Sequence, residues 1–355
     1  MKVAPAPSSG SRIAVTGWFE AAGFVLAIGA LSLVYAIGHQ SGAHPIAFVL
    51  YAILGSSILM LALTGPGPDA LAIACHPMSW LVGVSIILVE VFYFLTISYV
   101  SPAHGNLVLR FAIPIAMLAG WLVFGRRPAP VAAAATLVVT GATLYVVAIT
   151  DPAVRAPMTA TGVCGSVALV VRGFAGEFHP RNRAARTVRE KLQITGILLL
   201  VTSILCLALA SMLAAAIAAS AIPRHELVPT VPELFAPPTI LLGALAGGGI
   251  FALMNALNFS AVVKITTENI MAVMALSPIT VWMAQEIGVA FGWILVTRPE
   301  PRLVAAMTVI VVSVLVIVAA SRRSGVPDPR QPPRRPPAIG PGRGGGRRQS
   351  GPPLP

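Results

Sequence analysis

Apolar runs of about 20 residues recur along this chain, separated by short stretches that hold Pro, Gly or charge. Ten can be traced, near residues 16–38, 45–64, 79–99, 102–124, 129–149, 157–175, 194–219, 238–259, 267–288 and 302–320. Runs of this length cross a hydrocarbon core of ~30 Å as helices, because a lipid-exposed backbone must satisfy its own hydrogen bonds. A β-barrel would instead show alternating segments of about ten residues. The pattern predicts an all-α integral membrane protein with about ten transmembrane helices. The sixth run is the weakest signal, being short and holding Arg172. The first follows Lys2 and Arg12, as a signal peptide would. Its apolar stretch is too long for one and no convincing A-x-A site follows, so it reads as a retained helix.

Composition agrees. Of 355 residues, 56% are hydrophobic and 10% charged, with a mean hydropathy of +0.85, whereas a soluble domain carries about 25% charge. Charge then gives an orientation. With the N-terminus inside, the inner segments hold eighteen Lys and Arg and the outer loops four, Arg155, Arg224, Arg298 and Arg302. Leaving out the tail, the ratio is still ten to four. The positive-inside rule therefore predicts an even number of spans with both termini cytoplasmic. The net charge of +12 follows from the same asymmetry, and a chain with no soluble domain is not expected to bind nucleic acid. Cys75, Cys164 and Cys206 suggest neither a disulfide framework nor a metal site. Arg outnumbers Lys 21 to 3, the usage of a GC-rich genome, which points to a bacterial inner membrane. Residues 1–15 read as a short cytoplasmic segment. Residues 321–355 are dominated by Pro, Gly and Arg with no apolar face, and are predicted to be a disordered basic tail. That tail either touches anionic membrane lipids or serves as an inert stop.

The two halves look alike. YFLTISYVSPAHGNLVLRFAIP in the first half is matched by ALMNALNFSAVVKITTENIMAVMALSP in the second, with Pro114 and Pro278 aligned at an offset of 164. Five spans per half is an odd number, so the second copy, 151–320, would lie inverted relative to the first, 16–150. Inverted repeats are a common build of secondary transporters, with the binding site near the midplane. The stretches YFLTISYVSPAHGNLVLRFAIPIAMLAGWLVFG at 93–125 and NIMAVMALSPITVWMAQEIG at 269–288 resemble the drug/metabolite transporter superfamily, in particular its EamA-type permeases. The resemblance covers roughly 16–320. It implies two inverted five-helix repeats that move small metabolites by alternating access. One departure stands out: the family often has Gly-Glu after the fourth span, where this chain has Gly125-Arg126-Arg127.

Polar residues inside the spans carry the candidate chemistry. Glu90 and Arg110 flank Val100 symmetrically. At about 1.5 Å per residue both lie roughly 12–14 Å deep, near the midplane. Each alone costs roughly 2.5–3.5 kcal/mol at a helix centre, so the sequence predicts that they pair across the hairpin or face a wet cavity. Tyr93 shares a face with Glu90 at i, i+3. Asn106, Arg110 and Pro114 share one at i, i+4, i+8. In the second half Asn255 and Asn258 lie on one face and Glu268 opens the ninth span, with Asn269 beside it. For each of these a plain structural role competes: an ion pair pinning the hairpin, Asn as interhelical glue, or Glu268 as a dipole-favoured charge at a helix start. Glu20 and Arg172 fall near cytoplasmic span ends and Glu286 near an outer end, where long side chains reach the head groups. Gly243, Gly247, Gly248 and Gly249 read as a close-packing face.

The residues show no P-loop, no G-x-S-x-G elbow and no HExxH. No cofactor or metal is expected, nor an enzyme. The sequence points to a secondary transporter of a small organic solute, with proton coupling open. Two alternatives stand: a non-transporting membrane scaffold or sensor, and an enzyme acting on lipid-linked substrates, for which the loops lack clustered catalytic groups.

Overall fold

The computed structural model describes residues 9–265, 273–295 and 300–323, with the side chains of 9–14, 262–263, 265 and 321–323 excepted. Every regular element among them is helical. The long segments are α1 (Ser9–Gln40), α2 (Pro45–Thr64), α3 (Pro77–Tyr99), α4 (Pro102–Leu122), α5 (Pro130–Ile149), α6 (Pro152–Phe178) and α7 (Val188–Ala218). They continue with α8 (Pro237–Leu241 running on through Gly248–Ile265), α9 (Ser277–Ala290) and α10 (Pro301–Arg323). Nine helices among the described residues are long and apolar enough to cross a membrane. The chain is a multi-pass membrane protein. The run expected at 267–288 begins outside the described residues; its described part is the 14-residue α9. The sixth run, weakest in the sequence, is a continuous helix of 27 residues.

Local chemistry sets the ends of these helices. Pro at the first turn opens α2, α3, α4, α5 and α6, where a missing N–H costs nothing. Side chains cap what is left. His76 accepts from the Met78 N–H, Ser101 from His104 and Asp151 from Ala153. Thr187 and Glu190 form a reciprocal box at the start of α7.

Two spans are not regular. A 3₁₀ turn, Leu109–Phe111, interrupts α4, with Arg110 at its centre. A π turn, Leu242–Gly247, interrupts α8. The π turn lies on α2 so closely that a Cβ at Gly55 would sit 2.3 Å from the Ala244 carbonyl oxygen. Gly243 and Gly248 meet the α2 backbone in the same way, whereas Gly249 faces open space. Backbone cannot yield as a side-chain tip can. Gly55→Ala is therefore expected to lower stability by about 1–3 kcal/mol, read as a fall in the unfolding midpoint in detergent. Gly249→Ala serves as the near-neutral control.

Packing follows a definite set of neighbours. The most extensive contact is α3 along α6, then α1 along α8. The pairs α2–α7 and α5–α10 run side by side, α1 also meets α9, and α6 meets α4. α2 packs on α8, α3 on α7, and the start of α4 on α9. One apolar core gathers Tyr35, Phe48, Phe94 and Phe251. A second joins α4, α5, α6 and α10 through Leu107, Val139, Met158 and Ile310. Large apolar side chains such as Leu63, Leu122 and Leu137 are left outward, as lipid-facing positions require.

The connections are tied on each side. Arg126 pairs with Glu177, Arg181 with Asp69 and Lys264 with Glu20. The Thr64 carbonyl accepts from both Arg189 and Gln193. At other connections Gln40 exchanges bonds with Leu295 and His44 meets the Glu226 carbonyl.

Candidate functional site

Ser32 and Tyr35, one turn apart on α1, are buried and face Glu90 and Tyr93, one turn apart on α3. The Tyr35 hydroxyl donates to Glu90 Oε2 at 2.8 Å and the Tyr93 hydroxyl to Ser32 Oγ at 2.8 Å. Phe48, Phe94 and Tyr93 stand around the Tyr35 ring, with centroids 5.4–6.2 Å away. These rings keep the surroundings of Glu90 apolar, so its charge needs a partner. Among the described residues Glu90 forms no ion pair; Arg172 lies on α6, the helix packed most extensively along α3, and is the cation whose field reaches it.

Of the two arrangements expected for Glu90 and Arg110, pairing across the hairpin or facing a wet cavity, the first is not found. The two residues form neither a hydrogen bond nor an ion pair. Arg110 Nη2 instead donates to Asn106 Oδ1 at 2.7 Å and to Ser277 Oγ of α9. The cause is the path of the backbone. The 3₁₀ turn rotates Arg110 away from the α-helical register, and α6 presses into the hairpin. A Cβ at Gly162 would lie 2.3 Å from Val108 Cγ1, and one at Gly165 would lie 2.9 Å from Leu109 Cδ2 and 3.2 Å from Phe92 Cβ. With α6 seated there, Glu90 meets α6 and α1 while Arg110 meets α9.

The expected faces hold in part. Asn106 and Arg110 do meet, through the bond above. Tyr93 shares its face with Glu90, but its hydroxyl donates to Ser32 Oγ and not to either charged group. Asn255 is buried, but its Nδ2 donates back to the Phe251 carbonyl of its own helix at 2.8 Å. Asn258 is partly buried one turn on. Neither joins the bonds around Glu90 or Arg110. Glu268 and Asn269 lie outside the described residues.

Four participants escaped the sequence reading: Ser32, Tyr35, Ser277 and the role of Arg172. Ser32 and Tyr35 carried a signal, two hydroxyls at i, i+3 in an otherwise apolar span. Arg172 carried a stronger one, an intramembrane charge, but its place six residues from the end of α6 suggested the head groups. Gln285 is a further participant. It is 1% exposed and its Oε1 accepts from the Ala103 N–H at 3.3 Å, which joins α9 to the start of α4. The other expected charges are elsewhere: Glu20 pairs with Lys264, and Glu286 accepts from Trp282 Nε1 at 3.0 Å.

At the rim, His179 Nδ1 accepts from the Asn182 N–H at 3.2 Å, so its other nitrogen donates to Ser79 Oγ at 2.8 Å. This is the neutral ring. Burial, with His76 and Arg181 nearby, pushes the His179 imidazole below its ordinary value, and burial lowers His44 likewise. The sign follows. Above the unfolded value of about 6.5 both states are neutral and stability is full; as pH falls, the unfolded chain binds the proton first and stability is lost. The unfolding midpoint is expected to fall between pH 7 and pH 5. The double variant His44→Gln with His179→Gln should flatten that fall, and an undiminished slope would refute the assignment.

No family model and no curated protein matches the chain. Among solved structures, a chain described as "Crystal structure of protein" is similar at a TM-score of 0.51 with 19% identity, over 90% of this chain and 100% of that one. At that identity the likeness speaks to the fold alone.

Proposed function

We propose that the chain is a secondary transporter that moves a small organic metabolite by alternating access, built from two inverted five-helix repeats as in the EamA-type drug/metabolite permeases it resembles. The observation that carries this reading is the polar group where α1, α3, α4 and α9 converge, with Arg172 on the adjoining α6: the Glu90 carboxylate accepts from Tyr35, the Arg110 guanidinium donates to Asn106 and Ser277, and Tyr93 donates to Ser32. Buried charge is a poor source of net stability, and ionisable groups inside spans commonly mark a substrate or proton path.

The helix pairing supports the repeat. Exchange each helix with the one five places along, and the contacts map onto one another: α3–α6 onto α8–α1, α4–α6 onto α9–α1, and α2–α8 onto α7–α3. The pairs α2–α7, α5–α10 and α4–α9 map onto themselves. The repeats would span 16–150 and 151–320. The Arg-rich connections would face the cytoplasm of a bacterial inner membrane, together with both termini.

In this reading Glu90 is the coupling group, gaining or losing a proton as Arg172 and Tyr35 shift. The test is a solute screen in reconstituted vesicles with and without a proton gradient. A gradient-driven flux that loses its pH dependence in Glu90→Gln, while the protein stays monodisperse, is the expected result. Absence of any solute flux across the screen would favour a scaffold or sensor.

A further inference from the structure

Among the described residues no carboxylate reaches Arg110, whereas Glu90 and Arg172 lie on packed helices and offset one another. Away from the ends of the described spans the charged side chains are Arg110, Arg172 and Glu90, two guanidiniums against one carboxylate, apart from Glu20, which pairs with Lys264. An arginine does not shed its proton to escape burial, and an unmatched charge at this depth is costly. The partners Arg110 does have, Asn106 Oδ1 and Ser277 Oγ, are neutral and share one terminal nitrogen. Its Nε–H is shielded from solvent and has no acceptor, and a buried donor left unpaired costs about 1–3 kcal/mol. The site therefore lacks one negative charge and at least one acceptor. A carboxylate supplies both, because its two oxygens match two adjacent N–H groups of a guanidinium. Neither an amine nor a neutral amide supplies the charge.

We propose that Arg110 binds the carboxylate of the transported solute, so that the substrate class is a small organic acid in its anionic form. This rests on the transporter reading for the word transported; the anion site itself does not need it. Asn106 and Arg110 come from α4 and Ser277 from α9, which lie in different halves of the chain. An anion on Arg110 therefore touches both, and binding it biases the contact between them. The Tyr93 hydroxyl, one turn from Glu90 on α3, donates to Ser32, and Arg110 and Glu90 share no bond or counter-charge.

The test uses the full chain in detergent at neutral pH and fixed ionic strength, with matched probes: acetate against acetamide, benzoate against benzamide, succinate against succinamide. At least one acid should bind tenfold or more tightly than its amide, read by calorimetry or by the unfolding midpoint. Arg110→Lys should weaken that acid at least tenfold, since lysine lacks the fork, and Arg110→Gln should abolish the preference. Ser277→Ala gives a milder change that keeps the charge. The acid–amide comparison needs no variant, so a misfolded variant cannot rescue the idea. No acid binding, or equal binding of acid and amide, overturns it; equal binding is also what an internal carboxylate such as Glu268 on the guanidinium would give. The preferred acid is then followed into vesicles. Selective binding without flux sinks the transporter reading and leaves the anion site standing. Flux of neutral or cationic solutes with no acid preference does the reverse.

Discussion

Glu90→Leu is expected to destabilise the protein by about 3–5 kcal/mol, because it removes the buried carboxylate that accepts from Tyr35 and offsets the Arg172 guanidinium. Most of that loss should return in the double variant Glu90→Leu with Arg172→Leu, where no lone charge remains. The combination Glu90→Leu with Arg110→Leu should stay destabilised, since Arg172 is still alone. The two doubles ask the same question of two cations and differ only in which one faces the acid. Unfolding midpoints of the singles and doubles in mixed micelles give the coupling energies directly. A large coupling for Glu90 with Arg110, and none with Arg172, would overturn the assignment. Tyr35→Phe removes the hydroxyl that donates to Glu90 Oε2 at 2.8 Å. A hydrogen bond to a charged group contributes about 1.5–3 kcal/mol, so this variant should fall between wild type and Glu90→Leu. The restored double should nonetheless fail to transport, which separates the pair's part in the fold from its part in coupling.

The second large effect is expected at Gly165. A Cβ there already presses on Leu109 Cδ2 and Phe92 Cβ, so Gly165→Leu must push α6 off both α3 and α4. The cost should be about 3 kcal/mol. The more informative result is functional. Moving α6 carries Arg172 away from Glu90 and releases the 3₁₀ turn that aims Arg110 at Ser277. Transport should then be lost at temperatures where the folded fraction is still near that of wild type. Gly173→Leu, on the same helix with open space around it, is the control and should retain flux.

Much of the fold could be read from hydropathy alone, because each run of about 20 apolar residues has one solution in lipid. The alternation of spans puts Arg126 and Glu177, and likewise Arg181 and Asp69, on segments of one side, and each pair is in contact. The site was legible only to the level of residue type. Glu90, Tyr93, Asn106 and Arg110 announced themselves as polar groups in apolar helices. Their partners did not, because i, i+4 arithmetic assumes a regular helix, and the turn at Leu109–Phe111 breaks that register at the residue that mattered. Nor does spacing say which third helix enters a hairpin. Gly162 and Gly165 decide that by admitting α6, and a glycine in a membrane span has many ordinary uses. The tail after Arg323 and the segment around Glu268 lie outside the described residues.

The wide turn at Leu242–Gly247 has an evolutionary reading. A π turn holds one residue more than an α turn, so deleting one residue there returns α8 to the α-helical register. Its raised carbonyl at Ala244 fills the space that any side chain at position 55 would need. The two positions are therefore one heritable unit: descendants that delete the extra residue become free to vary at 55, while those that keep it must keep glycine. Across related chains, the insertion and Gly55 should be gained and lost together.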